Sequence, residues 1–242
     1  MTKLVAINDV SHRNLKIDPD YCLVQQSNTQ LIPVIVEEFR QLCGQYPLVL
    51  AKNSESGNFI CAALMGFAED ENLFIDKGVL NAIHAPLNLS RQPFYLGFGE
   101  GNDDSHLSVC VDMDHPSVGQ EKGIGVFDEN GQQSQLLQNV SSILATLYQG
   151  DEKTKEFIHH LASLELIMPM RLSITLDDNS RCEVNGLYTI DEEALKKIDT
   201  DQLSILHQKD YLRFIYTMMA SLSQIQIMIH KKNQQLKSVK VN

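Results

Sequence analysis

Carboxylates and imidazoles crowd into one short part of the chain: Glu100, Asp103, Asp104, His106, Asp112, Asp114 and His115. Hard cations such as calcium and magnesium take several carboxylate oxygens. A metal-assisted small-molecule reaction centred on Asp112, Asp114 and His115 is therefore the enzymatic chemistry these residues offer. In an extended segment Asp112 and Asp114 point to one face, with His115 beside them. The spacing lacks the glycine and closing glutamate of an EF-hand loop. In an acidic chain, the simpler expectation is a strand flanked by two solvated acidic turns. No specific metal site and no cofactor are expected.

Other chemistry is less well supported. His159 and His160 are neighbours on a predicted helix and diverge by about 100 degrees, so they cannot share one metal. No Gly-x-Ser-x-Gly is present, and Cys110 sits among apolar residues, away from an evident base despite His106 and His115 nearby. Gly97-Phe98-Gly99-Glu100-Gly101 matches neither the dinucleotide fingerprint nor the P-loop. The remaining candidate is a recognition surface at Pro86, Arg91, Pro93 and Phe94. Arg91 is the only charge between Ala85 and Phe98 in a strongly acidic protein. Two prolines limit the freedom of its loop. A guanidinium presented beside Phe94 would suit a carboxylate or phosphate. The competing expectation is that Arg91 pairs with a nearby Asp or Glu and fastens the loop.

These residues need a frame. Between Tyr46 and Gly99, four short apolar runs are separated by Asn, Ser, Gly, Asp and Pro, which predicts strands of one buried sheet. Strands are also expected at 3–9, 15–17, 21–25, 106–112, 125–127, 171–176 and 182–190. An exposed connection is expected over 114–123, and a loop or short helix between Asp76 and Arg91. Helical spacing predicts helices at 33–43, at 133–166 as a pair broken near Gly150, and at 209–232. Short helices follow Asp191 and span 201–207. The expectation is one α+β domain over 1–232, a mainly antiparallel sheet with packed helices and a long C-terminal helix. Residues 233–242 carry Lys and no acid and read as a basic flexible tail.

The net charge of −11 repels phosphate backbones, so nucleic acid is a poor partner. Five cysteines without a Cys-x-x-Cys read as reduced thiols packed as small hydrophobes. No run approaches the roughly 18 apolar residues of a membrane helix, so no membrane insertion is expected. The apolar run at the N-terminus is too short for a signal peptide. A cytoplasmic protein is expected, with signal-independent export as the alternative.

The order of motifs resembles the SapC-like family, named after a bacterial surface-layer locus and distinct from the peptide-transporter permease of the same name. The resemblance rests on His12-Arg13-Asn14-Leu15, Glu37-Glu38-Phe39, Tyr46-Pro47-Leu48-Val49 and Leu64-Met65-Gly66-Phe67. It continues through Glu71-Asn72-Leu73-Phe74-Ile75 and Arg91 with Pro93-Phe94. Further on come Phe127-Asp128-Glu129-Asn130-Gly131, Leu164-Glu165-Leu166-Ile167 and Gly186-Leu187-Tyr188-Thr189-Ile190-Asp191. The family usually carries a tryptophan after the Asn-Leu-Phe element; this chain has Val79-Leu80-Asn81 there and no tryptophan at all. The resemblance implies no catalytic residues. Relatives encoded near outer-membrane receptors, cupin-type proteins and halogenase-like proteins imply an accessory role in uptake or modification. The expected function is that of a non-enzymatic accessory or binding protein with a protein partner in a bacterial surface or uptake system. The alternative is the enzyme built on Asp112, Asp114 and His115.

Overall fold

The computed structural model describes residues 3–53, 56–98 and 107–239. Glu100, Asp103, Asp104 and His106 of the acidic cluster lie outside these residues, as do Gly99 and Gly101 of the glycine-rich stretch. Helices and strands mix along the chain in the expected α+β manner. Every strand pairing among the described residues is antiparallel. The backbone falls into two compact units, Met1–Ser27 with Ile75–Asn81 and Leu87–Gln149, and Asn28–Phe74 with Ala82–Pro86 and Gly150–Asn242.

The first unit carries both candidate sites. Its sheet has the order Leu4–Ala6, Leu107–Asp112, Phe94–Phe98. Phe94 pairs with Val111 across the last two strands, and both side chains are fully buried. Leu15, Ile17 and Val126 join them. Leu137, Val140 and Leu144 complete the cluster, three and four residues apart on one face of the Gln135–Ser163 helix. Fully burying a phenylalanine stabilises by about 1.5–3 kcal/mol, so Phe94 is a main anchor of this unit. A smaller sheet places Lys16–Ile17 between Val118–Gly119 and Ile124–Gly125. Gly123 turns into it at a φ of 108°, and a β-carbon there would meet the Ile17 carbonyl oxygen at 2.2 Å. Only glycine satisfies both demands.

The second unit is built on five strands in the order Ile167–Thr175, Arg181–Ile190, Leu48–Lys52, Phe59–Leu64, Leu31–Pro33. Leu48, Val49, Leu50, Ala62, Ala63 and Leu64 are all fully buried, which is why these strands read as apolar runs rather than alternating ones. Phe39, Phe157, Tyr211 and Phe214 pack edge to face, with Phe39–Phe157 ring centroids 6.4 Å apart and Phe157–Tyr211 5.4 Å. Ser221 donates to the Met218 carbonyl and accepts from the Leu48 N–H at 2.8 Å, tying the Tyr211–Ser221 helix to a central strand.

Several expectations are corrected. The four runs of 46–99 do not share one sheet. Leu48–Lys52 and Phe59–Leu64 belong to the five-stranded sheet, Ile75–Asp76 pairs with Val79–Leu80, and Phe94–Phe98 belongs to the first unit. Residues 21–25 form no strand. Asp18 caps the Asp20 N–H with Pro19 behind it, and the chain winds into 3-10 turns at Pro19–Tyr21 and Gln25–Asn28. The helix expected over 33–43 shrinks to Val36–Glu38 and Phe39–Leu42, because Ile32 pairs with Ala63 in the sheet. The helix pair over 133–166 is one 29-residue helix. Gly150 sits within it where a β-carbon would come 2.4 Å from the Ile35 Cδ1, so close approach rather than a break selects glycine. The last helix is two, Tyr211–Ser221 and Ile225–Val239, joined by a 3-10 turn at Leu222–Gln224. It runs on past Lys232, and Asn233 is buried and bonded to Asp177.

Candidate functional site

Arg91 follows the single helical turn Leu87–Ser90 and precedes the strand Phe94–Phe98. Leu89, 1% exposed, anchors the turn in the interior. The Arg91 N–H bonds the Leu87 carbonyl at 2.9 Å, and the Phe94 N–H bonds the Arg91 carbonyl at 2.7 Å. The Gln92–Pro93 peptide is cis. The half-buried guanidinium donates from Nε to Asn88 Oδ1 and from Nη1 to the Phe94 carbonyl, both at 2.7 Å. It lies over the Tyr95 ring, 4.3 Å from the centroid. The Tyr95 hydroxyl donates to Gln92 Oε1 at 3.2 Å, and Gln92 Nε2 donates to the Asn88 carbonyl at 3.3 Å. Every one of these partners is neutral. Among the described residues no carboxylate pairs with Arg91. Burial pushes the guanidinium below its ordinary value, with Tyr95 acting in the opposite sense.

The aromatic beside the guanidinium is thus Tyr95 and not Phe94, which the pleat turns into the core. Pro93 is buried as well, and Pro86 is buried in the second unit. Of the four residues expected at a recognition surface, Arg91 alone reaches solvent. Among the described residues, a cage of amide, carbonyl and phenol stands where the competing reading expected an acidic partner.

The acidic cluster resolves differently. Asp112 ends its strand, and its Oδ1 accepts the Asp114 N–H at 3.1 Å, while its carbonyl accepts the His115 N–H at 3.1 Å. Asp112 is therefore the first residue of an Asx turn. His115 is only 2% exposed, and its Nδ1 accepts the Ser117 N–H at 3.2 Å with Ser117 Oγ 2.8 Å away. That geometry assigns the ring proton to Nε2. Nε2 has no partner among the described residues. Burial pushes His115 below its ordinary value, opposed by the Asp112 charge. The Ser117 carbonyl accepts the Asp18 N–H at 2.8 Å. Cys22 donates weakly to the Asp18 carbonyl at 3.5 Å, and burial holds its thiol up. The segment 114–123 is largely exposed, as expected, but it buries His115 and Ser117 and contributes the short strand Val118–Gly119. Of Asp112, Asp114 and His115, only Asp114 is exposed. Among the described residues no three His, Cys, Asp or Glu side chains stand close enough to share one cation, so Asp112, Asp114 and His115 do not assemble as a ligand set.

Other sequence candidates are structural. Burial raises Cys110, and the absence of a side chain at Gly97 leaves room for its sulfur, 2.7 Å from where a β-carbon would be. All five cysteines are free. His159 is exposed while His160 packs on the Tyr211 ring at 5.4 Å, the divergence expected of helical neighbours. Sequence spacing could not reveal the ion pair of Lys232 with Glu71, 161 residues apart. Glu71 also accepts the Phe67 N–H at 2.8 Å, and Gly66 lets the Glu71 backbone approach. A recess of about 130 Å³ beside Asp177, Asn233 and Lys237 is bridged by its own 2.9 Å ion pair and lies well below the size of a small-molecule site.

Among the described residues, no helix is long and apolar enough to cross a membrane. No curated protein and no solved structure matches the chain. The SapC family model matches residues 7–228, and the chain belongs to the SapC family.

Proposed function

We propose that this SapC-family chain is a cytoplasmic, non-enzymatic binding protein that serves a bacterial surface or uptake system by holding a protein partner through Arg91. The observation that carries this is a half-buried guanidinium whose partners among the described residues are all neutral, in a protein of net charge −11. Arginine stays charged at any physiological pH, and a desolvated charge without a counter-ion gains most from an anion brought by a partner. Asn88, the Phe94 carbonyl and Tyr95 hold the fork in place, so little freedom is lost on binding. Residues 1–232 act together as one domain in this reading, since the chain passes five times between the two units.

The test is affinity capture from cells expressing the chain, wild type against Arg91→Gln, with far-UV circular dichroism as a fold control. The variant is expected to fold, to melt a few degrees lower because the Phe94 carbonyl loses its donor, and to lose its partner. A folded Arg91→Gln protein that retains every captured protein would refute the proposal.

A further inference from the structure

The strand that follows Arg91 has an open edge, and its polarity bears on what the guanidinium receives. Among the described residues, the sheet order gives Phe94–Phe98 a strand on one side only. Asp112 donates to the Pro93 carbonyl at 3.1 Å, opposite it in register. Antiparallel ladders alternate, so Tyr95 and Gly97 direct their main-chain groups toward Leu107–Asp112, and Phe94 and Leu96 direct theirs to the open edge. At Phe94 both groups are already taken by Arg91, the N–H by its carbonyl and the carbonyl by its Nη1. Leu96 is the first residue along the edge whose N–H and carbonyl have no partner among the described residues and so remain for another chain.

We propose that this edge binds the extended C-terminal segment of a partner polypeptide, added antiparallel to Phe94–Phe98, with its terminal carboxylate on Arg91. The inference rests on the reading of Arg91 as an anion anchor. A strand antiparallel to Phe94–Phe98 ends beside Phe94, where the guanidinium lies. A parallel one would bring its N-terminal ammonium to the same cation and be repelled. Two residues of strand span about 6.6 Å. The partner's third-from-last residue therefore pairs with Leu96 and its last residue lies opposite Phe94. The backbone pairing supplies affinity without sequence preference, and the carboxylate fixes register and direction.

The experiment selects wild-type protein against a random hexapeptide library with free C-termini. Enriched peptides are then synthesised as the acid, the C-terminal amide, and the acid N-methylated at the third-from-last residue. The acid is expected to bind at least about tenfold more tightly than the other two forms. On binding, the Leu96 amide should slow in hydrogen exchange. Arg91→Gln should abolish the preference for acid over amide. Failure to enrich any peptide, or equal binding of acid and amide, overturns the C-terminal proposal. If the amide binds through an internal Asp or Glu and Arg91→Gln still abolishes binding, the anion anchor stands and the C-terminal inference falls. Binding indifferent to Arg91→Gln overturns both.

Discussion

The Arg91 loop and the His115 turn lie at the same end of the same two strands, one leading into Phe94–Phe98 and the other leaving Leu107–Asp112, and each withdraws an ionisable side chain from water onto partners that are neutral among the described residues. Burial pushes both groups toward their neutral forms. The outcomes differ because the chemistry of the groups differs. An imidazole gives up its charge within the physiological range, so His115 can close a turn as a neutral acceptor for Ser117. A guanidinium cannot, so Arg91 remains a cation that is caged but that no described residue neutralises. Withdrawal that is nearly complete at His115 and partial at Arg91 yields a staple in one place and a caged cation in the other.

That contrast can be broken most forcefully at Phe94. Its side chain anchors the loop in the core and its main chain holds Arg91, so Phe94→Ala should cost about 3–5 kcal/mol in denaturant unfolding. A loss under about 1 kcal/mol would show that the Arg91 cage is not anchored by the core. At the other site, His115→Leu removes the acceptor for Ser117 and should cost about 1–3 kcal/mol at pH 7.5. The pH dependence sharpens this. The folded His115 lies below its ordinary value of 6.5, so below that pH the unfolded chain takes up a proton that the folded one refuses. Wild-type stability from this group is full above pH 6.5 and is lost as pH falls toward the folded value. His160 is displaced in the same direction, so the difference between wild type and His115→Leu is the quantity to measure, and it should shrink from pH 7.5 to 5. A constant difference would mean that His115 is charged in the fold. The smallest effect belongs to Asp114→Ala. Its exposed carboxylate makes none of the turn's bonds, and stability should change by less than about 0.5 kcal/mol. Micromolar calcium, magnesium, manganese or zinc binding lost in that variant by calorimetry would turn the staple into a cation site.

Much of this was legible before the fold. Turn residues marked the strands around Leu48–Lys52 and Phe59–Leu64, and helical spacing marked Val140 and Leu144, though it chose Leu136 where the core takes Leu137. The lone positive charge at Arg91 was visible by subtraction. What stayed hidden depends on distant partners. Phe94 and Tyr95 look alike in sequence, and only the register against Val111 and Cys110 decides which ring is buried. Gly150 resembles a helix stop until Ile35, far away in sequence, occupies its missing side chain's place. His115 and Ser117 read as surface residues because nothing local announces that Asp18 and Ile17 pack beside them.

The threading of the chain has a practical corollary. Because the first unit draws on residues up to Gln149 and the second begins at Asn28, a single cut leaves at least one of them missing a piece. A protease nick at any one bond therefore divides no finished half from another, and a gene shortened from either side ends in an incomplete core. Deletion analysis, the usual first step in mapping where a partner attaches, would report misfolding in place of a binding site. Point substitutions such as those at Arg91 and Asp114 keep both cores intact and are the tools this topology leaves.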